Sequence, residues 1–246
     1  MTSSSTATPS AAQTAVTVLE DGFALFKQSA VECLPLSVLA VAVGQWPQLT
    51  GLSHSSRPGA FLLTCIAAAL GCWLLTLIVL RQAAMQSATP TPWRVSLRLA
   101  TRRLPSLLLL VIAMLLIVVV GLAVLIVPGV YLAVAALPAF YLLIIEGLSV
   151  RAALDGALQL VRKRWWQSAY VLLLVGIGVL VLFTIDIALN LVVTQLTGRL
   201  PSAGVSGVIG LLVSAAFQPF CIAVGFMQYR FLRQAAPPDV PVAEAG

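Results

Sequence analysis

The chain has 246 residues, 60% hydrophobic and only 9% charged, with a formal net charge of +6. A soluble domain carries roughly 25% charged residues, and one with this composition could not cover its surface. The composition excludes a soluble globular domain and predicts an all-α, polytopic membrane protein.

The first residues, "MTSSSTATPSAAQT" (1–14), have neither a basic region nor an apolar run, so they read as a disordered polar tail and not as a signal peptide. Residues 234–246 read the same way. Next, Val16, Leu19, Phe23, Phe26, Ala30 and Cys33 recur at steps of three or four, the mark of an amphipathic helix. Charge-free runs then follow one another to Tyr229. From Leu104 to Ile145 one run has 42 residues. As a single helix it would be about 63 Å long, against a hydrocarbon core of ~30 Å. Pro128-Gly129 lies near its middle, and proline followed by glycine favours a turn. A hairpin there gives a membrane domain over 15–233 with six spans: 33–52, 60–80, 105–127, 130–146, 167–195 and 203–229.

Lys and Arg accumulate on the cytoplasmic side of membrane proteins. With both termini inside, the inside segments hold Lys27, Arg81, Arg94, Arg98, Arg102, Arg103, Arg151, Arg162, Lys163, Arg164, Arg230 and Arg233, leaving only Arg57 and Arg199 outside. Twelve against two sets the orientation. Insertion also accounts for the basic residues without nucleic acid. Anionic lipid on the cytoplasmic side, and a membrane or cytoplasmic protein, are the partners expected.

Three inside segments are patterned. After Thr91-Pro92, the residues Trp93, Leu97, Ala100 and Leu104 share one helix face, and Arg94, Arg98 and Arg102 share another. After Ser149, an N-cap residue, Val150, Leu154, Ala157, Val161 and Trp165 form an apolar stripe, with Arg162, Lys163 and Arg164 at the C-terminal end. Segments 91–103 and 149–165 are therefore expected as separate helices in the headgroup plane. The chain reads as three units of interfacial helix plus two spans. "DGFALF" (21–26) and "DGALQL" (155–160) share wording between the first and third units.

The stretch "IVPGVYLAVAALPAFYLLIIEGLSVRAALDGALQLVRKRWW" (126–166) carries the Pro-Gly hairpin, Glu146-Gly147 and an Ala/Leu-rich helix with a basic-aromatic end. It resembles YciC-like bacterial inner-membrane proteins, and is similar to the membrane domain of some glycerophosphodiester phosphodiesterases. The resemblance implies a multi-pass bacterial inner-membrane fold and brings no catalytic residue with it.

Chemistry is sparse. His54, the single histidine, sits beside serines with no orienting carboxylate nearby in sequence, and Cys33, Cys65, Cys72 and Cys221 lack metal-ligand spacing. No phosphate-binding glycine motif occurs. No enzyme activity, cofactor or metal is expected. Arg94, Arg98, Arg102, Arg103, Arg162, Lys163 and Arg164 are the candidate lipid-binding residues. Gln45 and Gln48 around Pro47, Gln218 before Pro219, and Asp186 with Asn190 are the candidate lining of a polar cavity. Glu146 is expected to pair with a basic residue of the following helix, such as Arg151. The small-residue steps Ser202, Ser206, Gly210, Ser214 and Gln218 are expected to pack against the fifth span. The leading expectation is a non-enzymatic membrane organiser that binds lipid or a partner. The alternative is a transporter or lipid-handling protein with its site near Pro47 and Pro219.

Overall fold

A computed structural model describes residues 11–49, 58–87, 91–124, 126–197 and 203–236. The described residues form helices α1 (Ala11–Leu49), α2 (Pro58–Met85), α3 (Trp93–Val124), α4 (Ile126–Tyr141, continued by a π-helical turn over Leu142–Glu146), α5 (Val150–Arg162), α6 (Trp165–Thr197) and α7 (Ala203–Gln234). Among them α1, α2, α3, α6 and α7 contain windows long and apolar enough to cross a membrane, and Tyr131–Glu146 is a shorter apolar helix. The expected loop containing His54 and most of both tails lie outside the described residues. Residues 11–14, expected in the first tail, belong to α1.

The core is built around α1. Its buried stripe is Ala15, Val18, Gly22, Leu25, Ser29, Cys33, Ser37 and Ala40, spaced by three or four residues. This lies beside the stripe read from the sequence: Val16 and Phe23 are exposed, whereas Leu19 and Phe26 are partly buried. Small residues explain the shift. A Cβ on Gly22 would lie 2.7 Å from Val224 Cγ2, so α1 packs directly on Val224 of α7 because Gly22 has no side chain. The α1–α7 and α1–α2 seams are the most extensive in the fold. α6 is the opposite case, with Leu173, Ile177, Leu180, Phe183 and Leu191 all exposed, as suits a helix bathed in lipid.

Two expected interfacial helices are not separate. α1 runs unbroken from Ala11 through Pro35, and the segment 91–103 forms the first turns of α3, which continues through Pro105. The change from basic to apolar residues at 102–104 marks a change of environment, but Arg, Arg and Leu all favour helix, so nothing there stops the backbone. Segment 149–165 does form its own helix. Ser149 caps α5, its hydroxyl accepting from Ala152 N at 3.4 Å.

The hairpin expected at Pro128-Gly129 is not centred there: α3 ends at Val124 and α4 begins at Ile126, so both residues lie within α4. Pro128 sits in the first turn of α4, where its missing N–H costs nothing. Gly129 packs on Gly121, whose added Cβ would lie 3.0 Å from Gly129 Cα. α5 then runs back along α4: a Cβ on Gly156 would lie 3.3 Å from Leu142 Cδ1, and Tyr131 stacks on Trp165 with ring centroids 5.8 Å apart. A full crossing by 130–146 beside a surface helix at 149–165 would set Tyr131 and Trp165 on opposite membrane faces, about 30 Å apart. That pairing of expectations is corrected: antiparallel neighbours packed side by side share an inclination, so α4 lies as α5 lies. In a chain whose four native cysteines are replaced by serine or alanine, Tyr131→Cys with Trp165→Cys should cross-link through a short bismaleimide. Failure of that cross-link, with both thiols labelled separately, would restore the full crossing.

Candidate functional site

One end of the molecule gathers its polar side chains into two arginine–carboxylate clusters. In the first, Arg81 of α2 donates from Nε and Nη2 to Glu32 Oε2 of α1 at 2.8 and 2.5 Å, and from Nη1 to the carbonyl of Thr91 at 2.9 Å. Its guanidinium also lies 4.5 Å from the Trp93 ring centroid, which fastens the start of α3 to α2. Arg81 is thus fully employed within the fold.

The second cluster sits where α4 ends. The π-helical turn stops at Gly147, which has φ 72° and caps it by donating its N–H to Leu143 O. A left-handed backbone there suits glycine. Arg103 of α3 reaches the same end and donates to the carbonyl of Ile144. A cation at a helix C-terminus satisfies a carbonyl that the helix leaves open. Beside it, Glu146 accepts from Tyr229 Oη at 2.5 Å and from Arg233 Nη2 at 3.1 Å, both on α7. The expected partner Arg151 is exposed, so Glu146 pairs across the bundle and not with the next helix. Sequence spacing could not reveal a partner 87 positions away. Tyr141, stacked on Tyr229 at 5.8 Å, donates to the carbonyl of Ile222 at 3.0 Å and lies against Gly225, which has no room for a side chain.

A third polar group surrounds Pro219, next to the first cluster through Gln82. Proline has no N–H for the carbonyl of Ala215, four residues earlier. Ser37 Oγ donates to that carbonyl at 2.7 Å, with the Gln218 amide 2.9 Å from the same hydroxyl. Gln82 donates to the carbonyl of Pro219 at 2.9 Å. Gln218 therefore helps to join α1 to α7. Gln45 lies eight residues beyond Ser37 on α1, about 12 Å along the helix. The two glutamines do not meet at one level. Asp186 and Asn190 sit together on α6, with Asn190 Nδ2 donating to Asp186 O at 2.8 Å. Asp186 Oδ1 faces Gly210 of α7, where an added Cβ would be 3.6 Å away. That bears on the expected packing of the small-residue stripe, of which Ser202 and the side chain of Ser206 lie outside the described residues. The side chain of Gln48 does so too.

The candidate lipid-binding cations divide. Arg94, Arg98, Arg102, Arg162 and Lys163 are exposed. Arg103 is turned inward, as described. Arg164 is half-buried, 5.2 Å from the Phe231 ring centroid and 3.4 Å from Gln167 Oε1. Its neighbourhood is hollow. A cavity of about 560 Å³ lies between the end of α5, the start of α6 and the end of α7, lined by Gln159, Lys163, Arg164 and Gln167 over Phe231 and Leu232. A second, of about 510 Å³, lies between α1 and α7 and contains Asp21, Gln28, Gln86 and Arg230. A third, of about 150 Å³, is set among α4, α6 and α7. Sequence reasoning found the cations of the first cavity but missed Tyr229, Gln82 and the cavity itself, which exist only once α7 is folded against α6.

All described secondary structure is helical, and five helices are apolar enough to cross a bilayer: the class is a multi-pass membrane protein. No family model, no curated protein and no solved structure matches the chain.

Proposed function

We propose that this protein is a multi-pass component of a bacterial cytoplasmic membrane that works by binding and not by catalysis. Its basic face holds anionic lipid and presents a surface to a membrane or cytoplasmic partner. One observation carries the reading. Arg94, Arg98, Arg102, Arg162 and Lys163 are exposed and have no hydrogen-bond or ion-pair partner among the described residues, whereas Glu32 and Glu146 each take an arginine. The fold does not use these five cations, so their charge is free for a ligand. The pairing of Gln218 with Ser37, and its distance from Gln45, favour binding over the transporter alternative.

Each basic residue near an anionic surface contributes ~1 kcal/mol at low salt, less once counterions screen it. Replacing Arg94, Arg98 and Arg102 together by Gln should weaken retention of phosphatidylglycerol over phosphatidylcholine by roughly 3 kcal/mol, or about a hundredfold. Native mass spectrometry of protein purified with mixed lipid measures this. Arg103 is left in place because Ile144 depends on it. Unchanged retention, with topology verified by cysteine labelling, would reduce these arginines to signals of orientation.

A further inference from the structure

We infer that α4, α6 and α7 frame a site for one acyl chain of an anionic phospholipid, with its phosphate held at Lys163 and Arg164. The inference rests on the lipid-binding reading above and gives it a place and a stoichiometry. The cavity of about 560 Å³ and the cavity of about 150 Å³ follow one another along the same seam. On α6 the first takes Arg164's neighbour Gln167 and the second takes Ser168, Val171, Leu172 and Val175. On α7 the order reverses, from Ala236 to Phe231 and then from Gln228 to Cys221, as antiparallel helices require. A basic mouth thus lies next to an apolar groove along the α6–α7 seam.

The lining chemistry selects the occupant. Among the described residues no acidic side chain lines the mouth, while Lys163, Arg164, Gln159 and Gln167 all present donors. That is the complement of a phosphate. The cavity between α1 and α7 differs, since the carboxylate of Asp21 lines it alongside Arg230. The groove is mostly apolar, and three of its polar side chains are engaged within the fold. Gln228 donates to Ser168 at 2.9 Å, and the Tyr141 hydroxyl donates to Ile222 O. A polar solute would find few free partners there, whereas a hydrocarbon chain would bury apolar surface against Val134, Val171, Leu172 and Val175. The groove is open sideways, because Leu137 on its rim is exposed. A chain can enter from the bilayer without unpacking the bundle. The small groove volume admits part of a single chain.

The test uses the full chain in phosphatidylcholine nanodiscs, with lysophosphatidylglycerol as the single-chain probe and glycerol phosphate as its chainless counterpart, read by native mass spectrometry. One bound lysophosphatidylglycerol is expected, and no glycerol phosphate. Lys163→Gln with Arg164→Gln should weaken it by roughly tenfold or more, and Arg164→Lys should retain it. Val175→Phe fills the groove and Leu137→Trp blocks its rim. Each should lower occupancy about as much, with the thermal midpoint measured to verify folding. Leu137→Trp needs no core space, so it stands even where Val175→Phe unfolds. Undiminished binding in Leu137→Trp, or equal binding of glycerol phosphate, overturns the acyl site while leaving the lipid-binding reading intact. If the wild type shows no preference for phosphatidylglycerol over phosphatidylcholine, both readings fail together.

Discussion

Glu146→Ala is expected to destabilise the protein by ~3 kcal/mol, more than any other single side-chain truncation among the polar clusters. The Glu146 side chain is 12% exposed and its partner Arg233 20%. Removing the carboxylate leaves a largely buried guanidinium and the Tyr229 hydroxyl without acceptors, and the uncompensated partners are what make such a deletion costly. The Glu32–Arg81 pair provides the contrast. There Arg81 is only 10% exposed, but Glu32 is 35% exposed and Arg81 keeps the Thr91 carbonyl, so the loss should be smaller, ~2 kcal/mol. Glu146→Gln keeps an acceptor for Tyr229 and should cost about half as much as alanine. Thermal unfolding in a fixed detergent, read with a double-mutant cycle between Glu146→Ala and Arg233→Ala, gives the comparison. A Glu146→Ala effect no larger than that of Glu32→Ala would show that the end of α4 is not held by this cluster.

How much of this was legible in the sequence depends on range. Local signals held: Ser149 caps α5, and the charge-free run does break close to Pro128-Gly129. The first part of the α1 stripe was found about one residue off, whereas Cys33 and the α5 residues Ala157 and Val161 are buried as expected. Apolar residues such as Val16 and Phe23 can face lipid at no cost, so in a membrane the buried stripe is marked by small residues instead. Ala15, Gly22 and Ser29 carried that signal. Helix continuity was misread at 102–105, because hydropathy changes there and backbone propensity does not. The inclination of α4 was invisible, since it follows from the stacking of Tyr131 on Trp165, which no periodicity encodes. The candidate site shows the same division. Its cations could be counted from sequence, but which are consumed by the fold, as Arg103 is by Ile144, depends on contacts between distant segments.

Two glycines of α1 give the sharpest contrast between local and tertiary effects. By helix propensity alone, replacing either by alanine should stabilise a helix interior by about 1 kcal/mol. At Gly44 nothing lies within 4 Å of an added Cβ, so Gly44→Ala should realise much of that gain. At Gly22 the same methyl would sit 2.7 Å from Val224 Cγ2 and 2.9 Å from Val224 Cα. The second of these is backbone, which no rotamer change can move aside. α1 and α7 must separate along the seam that buries Ala15, Val18 and Leu25, and overpacking of this kind costs 1–3 kcal/mol. Gly22→Ala should therefore destabilise, and Gly22→Leu more so. Because α1 is one helix through Pro35, the damage should concentrate in its N-terminal half, while α1 from Ser37 onward stays tied to α7 through Ala215. Limited trypsin digestion tests this at Lys27, which lies five residues from the altered glycine. Cleavage there should quicken in Gly22→Leu and stay at the wild-type rate in Gly44→Ala. Equal stabilisation by both alanines would mean that α1 and α7 do not approach as closely as Gly22 and Val224 indicate.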